Sequence, residues 1–558
     1  MNPAMTTQIM TPLDYFLRWE KEQPSRIFLR QPANGQWRTW TWSEAGDECR
    51  RMATALTESN LHPGSHVAIL SKNCAHWIMA DIAIMMAGCV SIPLYPTLTA
   101  ATINGILTHS DAQAIIVGKL DNYEEQEKGI PSSVIRIGCS QYGITEKNSW
   151  ERIVETHMPL KEVHQWDGDA ALTIVYTSGT TGRPKGVVHK ACTFDIVFRQ
   201  VAPVLKVPFH PSMFSYLPLS HVAERLAVEM NVLFNCGTAS FSESLKTFAR
   251  DLESVQPDAF FAVPRIWTKF RENILNRFPQ RRLDLLLSLP LIGRLVRKAI
   301  RRKLGLSRAG IILSAAAPIS VDLLHWYERL GITIYQAYGM TEDSVYAHFN
   351  KEGANRVGSV GKPLPGLQVK FTEQGEICVK SQGNFEGYYK EPELTAETFD
   401  EEGFLKTGDK GAYDGDGYLY ITGRIKDQFK TDKGKYISPA PIELRLLADA
   451  ALEQACVVGM GIPQPIALVN LSESGRSMPV DQAVKHLSEH LAAVNSTLDN
   501  YERVEKIVIT RDPWSVENGI LTPTLKIKRN ELEMLHMQRY PEWFGRIDTI
   551  IWEDHPTG

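Results

Sequence analysis

The chain has 558 residues, 43% hydrophobic and 22% charged, a globular composition with room for about two to four domains. Its 60 Lys and Arg against 64 Asp and Glu give a formal net charge of −4, which excludes the basic balance of a dedicated nucleic-acid binder. The eight cysteines, at 49, 74, 89, 139, 192, 236, 378 and 456, form no C-x-x-C pair and fit a reducing compartment better than a disulfide framework.

Elements follow in chain order. The N-terminal stretch has no basic region followed by an apolar run, so no signal peptide is expected. Thr41-Trp-Ser-Glu44 reads as a capping box opening a helix to about residue 59. Next come a buried strand at 66–70, a helix at 77–87, a strand at 90–95, a helix at 99–109 and a strand at 114–117. The longest apolar run, 81–93, is too short and interrupted to cross a bilayer. Alternating strands and helices predict an α/β protein with parallel-type sheets.

Between 277 and 308 the composition changes. Arg277, Arg281, Arg282, Arg294, Arg297, Lys298, Arg301, Arg302, Lys303 and Arg308 face one acid, Asp284, with leucines from Leu283 to Leu295 interleaved. One reading is a pair of surface helices packing their leucines inward; the other is an amphipathic element touching anionic membrane. At 409–422, short aromatic runs alternate with the turn Asp414-Gly-Asp-Gly417, predicting a small antiparallel sheet. Short mixed α/β units resume after Gly423. The expected organisation is an N-terminal domain at 1–422 with a small β subdomain, a hinge at 423–428 and a small mobile α+β domain at 429–558.

The strand expected at 172–176 runs into Thr177-Ser-Gly-Thr-Thr-Gly-Arg-Pro-Lys-Gly186. Gly179, Gly182 and Gly186 allow sharp turns that bring backbone N–H groups to an anion. Thr177, Ser178, Thr180 and Thr181 add hydroxyl donors and Lys185 a positive charge, which suits a polyphosphate. It is not a Walker loop, because Arg183 and Pro184 separate Gly182 from Lys185.

Tyr176 to Gly186 resembles the signature of the adenylate-forming superfamily. Further motifs arrive in that family's order: Tyr216-Leu-Pro-Leu-Ser-His-Val-Ala-Glu-Arg225, Val263-Pro-Arg-Ile-Trp267, Ser314-Ala-Ala-Ala-Pro318, Tyr335-Gln-Ala-Tyr-Gly-Met-Thr-Glu342, Thr407-Gly-Asp409, Gly423-Arg-Ile-Lys-Asp427 and Pro523-Thr-Leu-Lys-Ile-Lys-Arg529. Several stretches, 517–524 and 434–443 among them, are similar to the long-chain fatty acyl-CoA synthetases.

The resemblance implies two steps. ATP activates a fatty acid to an acyl adenylate with loss of pyrophosphate, and the thiol of CoA then displaces AMP. Lys526 would reach the carboxylate and the α-phosphate; Thr341 would bond the α-phosphate; Glu342 would hold Mg²⁺, which prefers oxygen ligands; His221 would lie near the acyl carboxylate. Ala315, Ala316 and Ala317 would run beside the adenine and the acyl entrance; Gln336, Ala337, Tyr338 and Gly339 would also bind the nucleotide, with Tyr338 stacking on the base. Asp409 would accept from the ribose hydroxyls, and Arg424 would contact the same ribose or the phosphate. Lys426 would be the hinge, and Trp267 and Gly434 would lie on the acyl and pantetheine paths, with core packing the other reading of Trp267. The family's usual glycines are replaced by Ala315, Lys433 and Leu525.

Rival readings are an acyl-AMP ligase serving a carrier-protein thiol, a peptide-synthetase-type adenylation enzyme, and a catalytically silent lipid-binding homologue. Chain length, acceptor and oligomeric state stay open. The expected location is cytoplasmic, soluble or peripheral on the inner face of a membrane.

Overall fold

The computed structural model describes residues 9–178, 184–522 and 525–553. The first core forms where the sequence alternates strand and helix. His66–Leu70, Val90–Leu94, Ala114–Val117, Ile135–Gly138 and Asn148–Ser149 lie parallel in an eight-stranded sheet, joined on one side by Ala171–Ser178. The crossover helices are Ala75–Met86 and Ala100–His109. Ala75–Met86 is buried on all faces, which explains why its sequence is apolar all round rather than amphipathic. The helix Trp42–Glu58 starts as expected: Glu44 N–H donates to Thr41 Oγ1 at 3.2 Å, and Thr41 N–H to Glu44 Oε2 at 2.7 Å.

The strand Ala171–Ser178 folds back on Pro184–Lys190 as an antiparallel pair, with Thr177 opposite Lys185. The short strand Gly387–Tyr388 closes that edge. A second sheet carries Ala259–Ala262, Ile311–Ser314 and Tyr335–Tyr338 in parallel, then His348–Phe349 and Lys362–Pro363 antiparallel. Each of the parallel strands runs directly into or ends within one of the quoted motifs: 263–267, 314–318 and 335–342. A third sheet combines Ser212–Ser215, Thr238–Phe241, Ile27–Ala33 and Gln36–Thr41.

The antiparallel sheet expected at 409–422 is larger than its sequence signal. Leu405–Tyr413 and Leu419–Arg424 are two of four strands, the others being Gln368–Phe371 and Glu376–Lys380. The turn is built by Asp414, whose Oδ1 accepts the N–H groups of Asp416 and Tyr418 at 3.0 and 2.9 Å. Beyond it, a mixed sheet of Leu452–Val458, Ile466–Leu471, Lys506–Ile509 and Ile550–Trp552 packs on the helix Val480–Asn495. This is the expected α/β architecture with a smaller C-terminal α+β unit. Arg265 in the helix Pro264–Arg277 joins the two parts through an ion pair with Glu453 at 2.5 Å, and Lys269 reaches Glu473 at 3.5 Å.

The basic segment follows its inward-packing reading only in part: Leu283 and Ile300 join the second core, with Leu287 and Val296 half-buried against it. The segment forms the helices Gln280–Ser288 and Pro290–Lys303 after Pro264–Arg277. Leu283, Gly293 and Ile300 are buried, whereas Leu285, Leu289, Leu291, Ile292 and Leu295 are exposed. On Gln280–Ser288 the inward positions are Leu283 and, one turn later, the half-buried Leu287.

Among the described residues, no helix is long and apolar enough to cross a membrane.

Candidate active site

The parallel strand Tyr335–Tyr338 delivers the loop that continues to Glu342. Thr341–Asp343 is a tight helical turn, and all three residues are buried. Asp343 holds it from inside: its Oδ1 accepts Met340 N–H at 2.8 Å and Tyr346 N–H at 3.2 Å. Burial pushes the Asp343 carboxyl up to about 7. Ser344 and Val345 then both take φ of +55°, left-handed geometry that costs on the order of 1–3 kcal/mol per non-glycine residue. The reversal brings Val345 against Gly339, where a Cβ would stand 2.6 Å from Val345 Cα. Gly339 is therefore fixed by close approach, and the strain is held by Val345 N–H donating to Met340 O at 2.8 Å.

Tyr388, from the edge strand, donates its hydroxyl to Glu342 Oε1 at 2.8 Å. Lys185 Nζ stands 5.2 Å from the centroid of the same ring, so one tyrosine contacts both the expected metal ligand and the expected phosphate lysine. Burial raises the Glu342 carboxyl above its ordinary range, opposed by the Tyr388 hydrogen bond and the charges of Lys185 and Arg424.

Tyr338 Oη donates to Asp409 Oδ2, and Arg424 Nε to Asp409 Oδ1, both at 2.8 Å. Asp409 and Arg424 are register partners across adjacent strands. The Asp409 N–H is in turn bound by Thr407 Oγ1 at 3.1 Å. Gln336 is buried and its Oε1 accepts Gly358 N–H at 3.2 Å; Ala337 lies beside it, buried. Ala315 is buried at the end of Ile311–Ser314; the left-handed residue of that stretch is its neighbour Ala316, at φ +70°, and Ala317 is exposed.

Lys526 comes from the C-terminal unit. Lys526 N–H donates to Thr522 Oγ1 at 3.0 Å, and Thr522 N–H to Lys526 O at 2.8 Å. Leu525 takes φ +63°, so the turn keeps the geometry that favours glycine without having one. Its base is anchored by Arg529, which reaches Glu443 Oε1 at 2.5 Å and Val457 O at 2.6 Å. Although half-buried by its surface, Lys526 has its amine enclosed. Burial, and then Arg424, push its pKa down to about 8, with Asp409 and Glu342 acting the other way.

His221 starts a short helix, and its Nδ1 accepts Ala223 N–H at 3.1 Å. That bond places the proton on Nε2. Burial, and then the Lys526 charge, push the imidazole down to about 3, so it is neutral at physiological pH. Glu224 fastens this turn to the strand Ser212–Ser215, accepting from Ser215 Oγ and Tyr216 N–H at 2.9 Å each. Beneath it, the fully buried Arg225 bridges Asp81 at 2.5 Å and Glu229 at 3.0 Å.

The structure thus brings together Lys185, Thr341, Glu342, Tyr338, Asp409, Arg424, Lys526 and His221. Gly179, Thr180, Thr181 and Gly182 lie outside the described residues; Thr177 and Ser178 end the strand that leads into them. Trp267 is placed in the core: it is fully buried, edge-on to Phe260, Phe270 and Tyr327, and its carbonyl accepts the Tyr327 hydroxyl at 2.5 Å. This is the packing alternative, with three aromatic rings against the indole inside the second core. Gly434, at φ +77°, sits in an exposed turn between Phe429–Lys430 and Tyr436–Ile437. Lys426 is exposed in the turn after Arg424.

Sequence reading missed Tyr388, Asp343 and the Glu443–Arg529 pair. Asp343 adjoins a quoted motif and was in reach. Tyr388 lies 46 residues from its partner and gives no local signal.

Residues 16–389 match the AMP-binding enzyme family, and 426–536 match the AMP-binding enzyme C-terminal domain. The chain is 28% identical over 573 residues to long-chain-fatty-acid–CoA ligase FadD15 of Mycobacterium bovis, covering 91% of this chain and 93% of that one. It is 29% identical over 589 residues to long chain acyl-CoA synthetase 6, peroxisomal, of Arabidopsis thaliana, covering 93% and 82%. In fold it is similar to the A-PCP didomain of carboxylic acid reductase from Segniliparus rugosus, solved in complex with AMP, with a TM-score of 0.81, 22% identity and coverage of 97% and 83%. The chain belongs to the AMP-binding enzyme family, the adenylate-forming superfamily that its motifs resemble.

Proposed function

We propose that this protein is an AMP-forming long-chain fatty acid–CoA ligase. The observation that carries the reading is the convergence of Lys526 from the C-terminal unit with the Tyr338–Asp409–Arg424 hydrogen-bond set, Glu342 and His221, all within reach of its charge. The curated relatives named above, both long-chain acyl-CoA synthetases, support the acyl class.

The carboxylate of the fatty acid attacks the α-phosphorus of ATP, the bond to the β-phosphate oxygen breaks, and pyrophosphate leaves. Charge then spreads over carboxylate and phosphate oxygens, where a flexible ammonium on Lys526 serves both. Neutral His221 directs Nε2–H to the carboxylate and adds no competing charge. Thr341 donates its hydroxyl to the α-phosphate, and Tyr338 offers its ring to the adenine. Asp409 accepts from the ribose while Arg424 fixes its orientation. Lys185 and the hydroxyl loop hold the outgoing phosphates.

Magnesium fits the donor set. Mg²⁺ binds through one or two carboxylates together with substrate phosphates and water, and Glu342 is a buried carboxylate facing the phosphate side. Among the described residues, no cluster of three or more His, Cys, Asp or Glu offers a richer site. Bound there, the ion would neutralise the developing phosphate charge.

In the second step the CoA thiol attacks the acyl carbon and AMP leaves. With Lys526 in the site and Gly434 in an exposed turn, the arrangement suits adenylation. Rotation about 423–428, with Lys426 as the pivot, would bring Gly434 to the pantetheine. The second family match beginning at 426 supports a division there.

The test is AMP release with ATP, Mg²⁺ and saturated acids from acetate to arachidate, with and without CoA. A CoA-dependent maximum among the long-chain acids is expected. Acyl adenylate that accumulates without thioester would point to a carrier-protein acceptor, and no turnover with any acid would overturn the reading.

A further inference from the structure

We propose that the helices Gln280–Ser288 and Pro290–Lys303 form a docking surface for an anionic phospholipid bilayer, with the leucines at their junction entering the membrane interface. The proposal deepens the reading above and rests on it for its purpose, since a long-chain acid partitions into membranes.

Five large apolar side chains cluster at the junction in water: Leu285 is 65% exposed, Leu289 41%, Leu291 78%, Ile292 44% and Leu295 66%. They lie outside the inward face, which carries Leu283, Leu287, Gly293, Val296 and Ile300. The two helices meet closely, with Leu287 O only 2.6 Å from where a Cβ on Gly293 would lie. Five large exposed apolar side chains within one short segment are more than the single scattered apolar residues of an ordinary surface and point to an interaction site.

The cations divide into two groups. Arg297 and Arg301 turn back onto backbone carbonyls, Lys303 pairs with Glu253, and Arg308 with Asp258. The side chains of Arg281, Arg282, Arg294, Lys298 and Arg302 are exposed and make no hydrogen bond or ion pair among the described residues. The acid of the segment, Asp284, is taken by Arg329 at 3.0 Å. Leu291, Leu295, Lys298 and Arg302 are spaced four, three and four apart, which places them on one helix face. Leucines therefore crowd the junction while Arg281 and Arg282 on one helix, and Lys298 and Arg302 on the other, flank them. An apolar tip with basic shoulders matches the order of acyl chains and phosphate headgroups at an anionic bilayer surface.

The experiment is co-sedimentation of the full chain with vesicles of phosphatidylcholine containing one-third phosphatidylglycerol. Binding is expected, and it should weaken at least about tenfold in pure phosphatidylcholine or in high salt, because basic residues near an anionic surface act through a screened field. The variant R281S/R294S/K298S/R302S and the variant L291S/L295S should each bind at least about tenfold more weakly. Both alter exposed side chains and should keep the wild-type thermal midpoint. No sedimentation of the wild-type chain with anionic vesicles, or wild-type binding by either variant, would overturn the proposal. Binding is read without turnover, so its failure is separate from failure of the ligase reading.

Discussion

Tyr388 donates its hydroxyl to Glu342 Oε1 at 2.8 Å, joining the edge strand of the largest sheet to a turn at the end of another. Glu342 is the carboxylate proposed for Mg²⁺, so this bond sets the orientation of a charge at the phosphate site. A hydrogen bond to a charged group contributes about 1.5–3 kcal/mol. Tyr388→Phe should therefore lower kcat/KM for adenylation by about tenfold or more and raise the Mg²⁺ concentration needed for half-maximal rate. Unchanged Mg²⁺ dependence would remove Tyr388 from this role.

Lys526 predicts a pH dependence. Its folded-state pKa of about 8 lies below the ordinary lysine value, and the ammonium is the useful form. The kcat/KM for adenylation should fall as pH rises through about 8, while His221, held near 3, should add no limb between pH 5 and 8. The same depressed pKa means the folded state sheds a proton first, so this group's penalty on stability fades from pH 8 towards the unfolded value. A flat alkaline profile would contradict the assignment.

The buried Arg225 offers a test of the scaffold. Removing it strands Asp81 and Glu229, both fully buried. Arg225→Met should cost about 3–5 kcal/mol in denaturant unfolding. Replacing all three with apolar residues of similar volume should recover much of the loss. Equal destabilisation in single and triple variants would place the cost in packing instead.

The Arg265–Glu453 pair, at 2.5 Å, spans the two parts of the chain in the arrangement that puts Lys526 in the site. Both groups are partly solvated, so the pair contributes about 0–1 kcal/mol. Glu453→Lys should lower adenylation by at most about fivefold and leave thioester formation from supplied acyl adenylate undiminished. A larger loss in the second step would contradict this.

Lys426→Pro tests the pivot. Fixing φ at 426 should spare adenylation, measured from the present arrangement, and depress thioesterification. If both half-reactions are unchanged, the pivot lies elsewhere.

Much of the site was legible because its residues sit in contiguous motifs: Tyr338 to Glu342 occupy one strand end, and Asp409 and Arg424 pair across one hairpin. The strands 66–70 and 114–117 were legible from short continuous apolar runs, as strands buried on both faces carry. Less legible were contacts made at long range. Tyr388 and Glu453 carry no local pattern, since their partners lie far along the chain; Glu443 stands in a resembling stretch, but its partner Arg529 is 86 residues away. The missing glycines were resolved by geometry: Leu525 keeps the left-handed turn that glycine would give, Ala316 rather than Ala315 carries the positive φ, and Gly434 holds it without help from Lys433. The sequence of the basic helices left two readings, and burial decided which leucines face inward.

The most direct test separates the two half-reactions. ATP–pyrophosphate exchange with a long-chain acid, and acyl-CoA formation from supplied acyl adenylate, are measured in wild type and Lys526→Ala. The account predicts exchange reduced about 10²–10³-fold, as for loss of one preorganised donor, with thioester formation largely intact. Equal loss in both steps, or undiminished exchange, would contradict it.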